Sequence, residues 1–318
     1  MSEGWSGPAW GEPSPAADRP ASLRSRGSAK AASYRADGGR STDFLVLGAS
    51  VSGVSHRLAG RCSDDAFGWV LPAPGKLALV VADGVGSAGR GAEGAERAVE
   101  AVCGFVDEAG MRDRQRRCSE EMSYAGGQIA SWGPELCAAA ILHASNEIRR
   151  VGGQNACELA TTIVVALLDA GTSGRGGFAQ VSVGRVGDSI ALSLSGTGEW
   201  RELFEGHPVR AGGDAAGDEE MLVTATAALP VRGALDDVVS VELPPGAALV
   251  LVTDGVAVPL RDGPSTVAPA LAEVLMRGPT GELGPLGLAR ALDFSRRGAH
   301  DDRTVLAAWA LSPGRHVP

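Results

Sequence analysis

The chain has 318 residues, 44% apolar and 21% charged, an ordinary globular balance with room for one large domain or two small ones. A formal net charge of -9, with 29 Lys and Arg, leaves no polybasic footprint and excludes nucleic acid as the main ligand. No apolar run approaches the roughly 20 residues of a membrane-spanning helix, so no membrane partner is expected either.

Residues 1–40 are rich in Gly, Ser, Pro and Ala and carry no apolar period. Such a segment buries too little to offset its ordering entropy, and a disordered tail is expected there. Its start, MSEGWSGPAW, lacks the basic segment and apolar core of a secretory leader. The cysteines (Cys62, Cys103, Cys118, Cys137 and Cys157) are odd in number and form no C-x-x-C pair. Reduced thiols and a cytoplasmic location follow as expectations.

Residues 41–313 read as one domain. FLVLGAS, LALVVAD, TTIVVALLD, FAQVSVGRVGDSIALSL, VVSVEL, ALVLVTD and RTVLAAWAL are short runs rich in Val, Leu and Ile, each bounded by Gly, Pro or Asp, and predict strands. Several are apolar on both faces, as in sheets covered on both sides. GAEGAERAVEAVCGFVDEAG, PELCAAAILHASNEIRRVG and GLARALDFSRRG predict helices. Two of these follow the second strand and one precedes the last, so the order points to an α+β layered domain rather than a repeated βαβ wind. GDAAGDEEMLVTATAALP reads as a surface excursion.

The letters after LALVVAD, GVGSAG, fit G-x-G-x-x-G. A dinucleotide cradle is disfavoured there. Asp83 would face the pyrophosphate, and the acidic residue wanted about 20 positions on falls in a charged helical stretch. A second device of the same form argues for something else: ALVLVTDGV is again an apolar strand, then Asp254, then Gly255. Further acidic places are CSDDAF with Asp64 and Asp65, RVGDSIAL with Asp188 in a tight turn, and HDDRTV with Asp301 and Asp302. Any one Asp-Gly is more often a turn than a ligand. Five acidic places at strand ends, with no His/Cys cluster, point instead to all-oxygen ligation of Mg²⁺ or Mn²⁺.

At these residues the chain resembles the metal-dependent protein phosphatases of type 2C, and within them the bacterial branch whose second motif opens D-G-x-G-S. The resemblance runs from about residue 44 to 311, with GVSHRLAGRCSDDAF, VVADGVGSAGRGAEGA, LATTIVVALL, VGRVGDSIAL, LVTDGV and DDRTVLAAW in family order. It implies a four-layer αββα sandwich of two antiparallel sheets flanked by helices. Asp83 then resembles the carboxylate bridging two metal ions, with the Gly84 carbonyl a further ligand and Asp65 the acidic residue of the first motif. Asp254 and Asp301 resemble the remaining ligands of one ion, and Asp188 a residue linked to a weakly held third ion. Asp64 and Asp302 are expected one layer behind the ligands. The implied reaction is hydrolysis of phosphoserine or phosphothreonine in proteins by a metal-bridging hydroxide, with two Mn²⁺ or Mg²⁺ and no covalent phospho-enzyme.

Two departures bear on the reaction. Many relatives hold phosphate with an Arg before the first acidic motif; Arg57 and Arg61 are both near, and Arg61 is favoured. Many also have D-G-H, whose His is a proposed proton donor, where this chain has Val85. His56 is a candidate for phosphate contact or proton transfer; a hydrogen-bonded loop histidine is the other reading. A catalytically idle regulator binding a kinase or phosphoprotein is the alternative function, and by resemblance a serine/threonine kinase is an expected partner.

Overall fold

The computed structural model describes residues 23–24, 34–120, 132–170, 178–204, 227–230, 238–261, 266–294 and 300–311. Strand β1 (Leu23–Arg24) and β2 (Tyr34–Arg40) precede β3 (Phe44–Val51) and a short helix α1 (Val54–Leu58). The hairpin β4 (Asp65–Ala73) and β5 (Lys76–Asp83) leads into α2 (Gly91–Glu120) and α3 (Pro134–Gly152), and a 3₁₀ turn over Gly153–Leu159 returns the chain to β6 (Ile163–Asp169). Then come β7 (Ala179–Val186), β8 (Ile190–Leu194), β9 (Trp200–Glu202), β10 (Val238–Leu243) and β11 (Ala248–Val252). Helices α4 (Asp254–Arg261), α5 (Val267–Met276) and α6 (Pro285–Leu292) precede the last strand, β12 (Arg303–Ala310).

All pairings are antiparallel, and they build two six-stranded sheets in the orders β1-β4-β5-β6-β7-β10 and β2-β3-β12-β11-β8-β9. Side-chain alternation sorts each strand between two cores. In β5, Leu77, Leu79 and Val81 point between the sheets, where they meet Phe44, Phe67, Trp69, Leu306 and Ala308. Ala78, Val80 and Ala82 point outward onto Ala95, Ala98, Val102 and Val106 of α2 and onto the buried face of α3. The second sheet does the same, with Val250, Val252, Val305 and Trp309 turned toward Val256, Leu271, Leu275 and Leu288 of α4, α5 and α6. The central strands are apolar on both faces because each is covered twice. The architecture is the αββα sandwich implied by the resemblance.

Ordered structure begins earlier than the composition suggests. Strand β2 lies within the stretch expected to be a tail, paired with β3 from Tyr34↔Val51 to Arg40↔Leu45. YRADGGR carries no apolar alternation because it is an edge strand, and its backbone pairing supplies the order. The remaining residues up to 33, apart from Leu23–Arg24, lie outside the described residues, as does most of the excursion at 213–230. Strand β4 also escapes sequence reading, because Pro72 interrupts its apolar run and the pairing register shifts between Val70 and Ala73. Gly75, at φ 70°, makes the turn into β5.

Candidate metal centre

The hairpin sets the first two carboxylates. Asp65 opens β4, Asp83 closes β5, and the two are direct partners in the antiparallel register. Asp83 is held from behind by adjacent threonines: Thr161 Oγ1 and the Thr162 N–H both donate to its carbonyl at 2.8 Å, and its own N–H donates to Thr162 Oγ1 at 3.3 Å. The Gly84 N–H donates to the Asp64 carbonyl at 3.1 Å. A Cβ on Gly84 would fall 2.4 Å from the Gly91 carbonyl carbon, so the backbone approach behind Asp83 requires glycine. At Gly86 and Gly89 a Cβ would meet nothing within 4 Å. A dinucleotide fingerprint needs its last glycine for close helix–strand packing, and Gly89 makes none.

The other carboxylates arrive from the second sheet and from the crossover between sheets. Strand β11 stops at Val252, two residues short of the end expected from ALVLVTD, and Asp254 is the first residue of α4. Asp188 sits in the β7–β8 turn after Gly187, whose φ is 101°. Carboxylate oxygens of Asp83, Asp188 and Asp254 all lie within 4.8 Å of one another. Asp188, which the resemblance links to a weakly held third ion, belongs to this group. Asp65 and Asp301 stand alongside: Asp65 is the largest charge acting on Asp83, and Asp301 the largest on Asp254.

Asp65 is 2% exposed. Its Oδ2 accepts hydroxyls from Thr304 at 2.7 Å and Thr253 at 2.9 Å, while Oδ1 is buried without a hydrogen-bond partner. Asp254 Oδ1 is likewise buried and unpartnered. Burial, then the charge of Asp302, holds the Asp65 carboxyl well above the usual carboxylate range. Burial, then Asp65 and Asp254, does the same for Asp83. Asp254 is pushed up to about 6 by burial and by Asp301. Clustered carboxylates with orphaned oxygens are a costly arrangement unless a cation completes it. An all-oxygen donor set fits a hard divalent ion such as Mg²⁺ or Mn²⁺.

Asp64 and Asp302 have other partners. The Asp64 carboxylate accepts from Arg61 Nη2 at 3.2 and 3.4 Å and lies 3.6 Å from His56 Nε2. Burial raises its pKa, and the charges of His56 and Arg61 partly offset this. Asp302 accepts from the backbone N–H groups of Gly53 and Asp64 and faces His56 Nδ1. A Cβ on Gly255 would fall 1.9 Å from the Asp302 carbonyl oxygen, so α4 and β12 meet at this glycine. Of the two candidate arginines, Arg57 is turned to Asp293 at 2.9 Å and to the Tyr34 hydroxyl, whereas the Arg61 side chain stays 55% exposed beside Asp64.

The residues that sequence reasoning passed over are the hydroxyls behind the acids: Thr161, Thr162, Thr253 and Thr304, with Ser189 bonded to Thr162 at 2.8 Å. Their signal was adjacency, since Thr253 precedes Asp254 and Thr304 lies two residues after Asp302. Nothing in a single sequence separates such a hydroxyl from an ordinary strand threonine.

A family model described as protein phosphatase 2C matches residues 52–292, and the chain belongs to that family. Among solved structures it is similar to a phosphatase from Toxoplasma gondii, at 15% identity and TM-score 0.57, over 84% of this chain and 93% of that one. It is also similar to the serine/threonine phosphatase of S. agalactiae, at 16% identity and TM-score 0.52, over 84% and 100% of the two chains. A third likeness is to the catalytic domain of the serine/threonine protein phosphatase PstP in complex with two manganese ions, at 15% identity and TM-score 0.52, over 85% and 99%. These likenesses are of fold. No curated protein matches the chain in sequence.

Proposed function

We propose that the chain is a metal-dependent protein phosphatase that hydrolyses phosphoserine and phosphothreonine in protein substrates. The observation that carries this is the pair of buried, unpartnered carboxylate oxygens, Asp65 Oδ1 and Asp254 Oδ1, at a cluster that unites Asp83, Asp188 and Asp254. Asp65, Asp83, Asp254 and Asp301, with the Gly84 carbonyl, would hold two Mn²⁺ or Mg²⁺ ions, and Asp188 would serve a third. When bound, such ions acidify a coordinated water and offset charge on the phosphoryl oxygens. The chain's own contribution is placement. Thr253 and Thr304 pin one oxygen of Asp65 and leave the other buried without a partner. Arg61 presents a guanidinium to a phosphate dianion. Cys62 is exposed, and no covalent phospho-enzyme is needed.

Membership of the family supports this reading, and so does the manganese-bound state of PstP. Among the described residues no helix is long and apolar enough to cross a membrane. We place the enzyme in the cytoplasm opposite a serine/threonine kinase. Phosphate release from a phosphothreonine peptide, measured with Mn²⁺, with Mg²⁺ and with EDTA, tests the reading. A folded chain that binds Mn²⁺ yet releases no phosphate would instead be the idle regulator.

A further inference from the structure

Val85 offers no proton, and the question of what protonates the leaving oxygen turns on one buried carboxylate. Asp302 is 2% exposed and engages three donors from two separate segments. Its Oδ1 accepts the Gly53 N–H at 2.6 Å, its Oδ2 accepts the Asp64 N–H at 2.6 Å, and His56 Nδ1 lies 2.9 and 2.8 Å from the two oxygens. An unprotonated Nδ1 would set a lone pair against two acceptor oxygens, so in this contact Nδ1 carries the proton. That leaves Nε2 as the ring's other edge, 3.6 Å from Asp64 Oδ2, on the carboxylate that also takes Arg61 Nη2. The Asp64 peptide joins this arrangement to the cluster, since its N–H goes to Asp302 and its carbonyl receives the Gly84 N–H. His56 is on α1 and Asp302 just before β12, so the pair closes only when the second sheet is built.

We infer that Asp302 is a positioning residue that fixes His56 with Nδ1–H turned to itself, and that His56 Nε2 is the atom that hands a proton to the departing serine or threonine oxygen. In that step the ring starts doubly protonated: the phosphorus–oxygen bond breaks, its electron pair stays on the ester oxygen, that oxygen takes the Nε2 proton, and the ring is left neutral with its proton on Nδ1. Water then returns a proton to Nε2. The inference rests on the phosphatase reading. It gives Asp302 a specific task that an asparagine could not perform, because an amide has one acceptor oxygen where this position must face three donors.

Two measurements test it. The first is ¹⁵N–¹H correlation of the His56 ring in the metal-free, substrate-free protein. Protonated Nδ1 in the wild type is the expected result; unprotonated Nδ1 with the proton on Nε2 overturns the inference. The second compares two esters, a phosphothreonine peptide, whose leaving oxygen needs a proton, and p-nitrophenyl phosphate, whose leaving group does not. His56→Gln keeps both backbone donors on Asp302 and should lose on the order of 10²-fold in kcat on the peptide, with a several-fold smaller loss on p-nitrophenyl phosphate. Asp302→Asn should show the same split and also lose the Nδ1 proton signal. If Asp302→Asn does not fold, His56→Gln and the wild-type spectrum still decide. Equal losses on both esters, or no loss, overturn the proton-transfer role. If the wild type hydrolyses neither ester with any metal, the phosphatase reading fails and the transfer step falls with it, while the ring spectrum still decides what Asp302 does.

Discussion

Asp65 and Asp83 face each other across neighbouring antiparallel strands in direct register, two carboxylates where a sheet ordinarily avoids like charges. Hydroxyls of Thr253 and Thr304 donate to the Asp65 carboxylate, while Thr161 and Thr162 fix the Asp83 backbone through its carbonyl and N–H. One oxygen of Asp65 is still left buried without a partner. A divalent cation bound here would relieve that repulsion.

Removing one charge should separate stability from function. Asp83→Asn is expected to raise the stability of the metal-free protein by about 1 kcal/mol, as a like-charge pair is relieved. It should also abolish metal-dependent stabilisation and turnover. Thermal melts with and without Mn²⁺, beside a phosphatase assay, check both halves.

The pH dependence has a fixed sign. Asp65, Asp83 and Asp254 have folded-state values raised above the ordinary 3.8, Asp254 to about 6. From about pH 4 up to those raised values the metal-free folded chain binds more protons than the unfolded one, so its stability falls as pH rises through the window. Metal binding must displace those protons, so Mn²⁺ affinity rises across the same range. Melting in EDTA should be higher near pH 5.5 than near pH 7.5, and Mn²⁺ should reverse that order.

The glycines divide by what surrounds them. Gly255→Ala sets a Cβ 1.9 Å from the Asp302 carbonyl oxygen and should cost about 1–3 kcal/mol and disturb the site, although alanine is the better helix former. Gly86→Ala meets nothing within 4 Å and should change stability by no more than about 0.5 kcal/mol. Denaturant midpoints of the two variants give the comparison.

The arginines should differ in kind. Arg61→Ala is expected to lower kcat/KM about 10–100-fold through lost phosphate binding, with the melting temperature unchanged, because its side chain is 55% exposed. Arg57→Ala breaks the tie to Asp293 and Tyr34 and should leave kcat/KM within a few-fold of wild type. Steady-state kinetics of both variants decide.

Much of this was legible in the chain because it is strongly local. Strands β3, β5, β6, β7, β8, β10, β11 and β12 announce themselves as Val/Leu/Ile runs, and Asp83, Asp188, Asp254, Asp301 and Asp302 stand at the end of one or close beside it. Pairing is not local. The register that sets Asp65 against Asp83 depends on how the β4–β5 hairpin closes, and the closeness of Asp188 to Asp254 and the contact between His56 and Asp302 join segments far apart in sequence that meet only once the second sheet is assembled. Strand β2 was illegible for a related reason, since its order comes from the backbone of β3 and not from its own side chains. Helix α4 was hidden because Asp254-Gly255 reads equally well as a turn, and Pro259 lies within the helix.

The most direct test of the account is hydrolysis of a phosphothreonine peptide by the purified wild type and by Asp254→Asn, each with Mn²⁺ and with EDTA. Turnover is expected from the wild type with Mn²⁺, with none in EDTA and none by the folded variant under either condition. Turnover by Asp254→Asn at the wild-type rate, or wild-type turnover that persists in EDTA, would contradict the claim that these carboxylates form a catalytic metal centre.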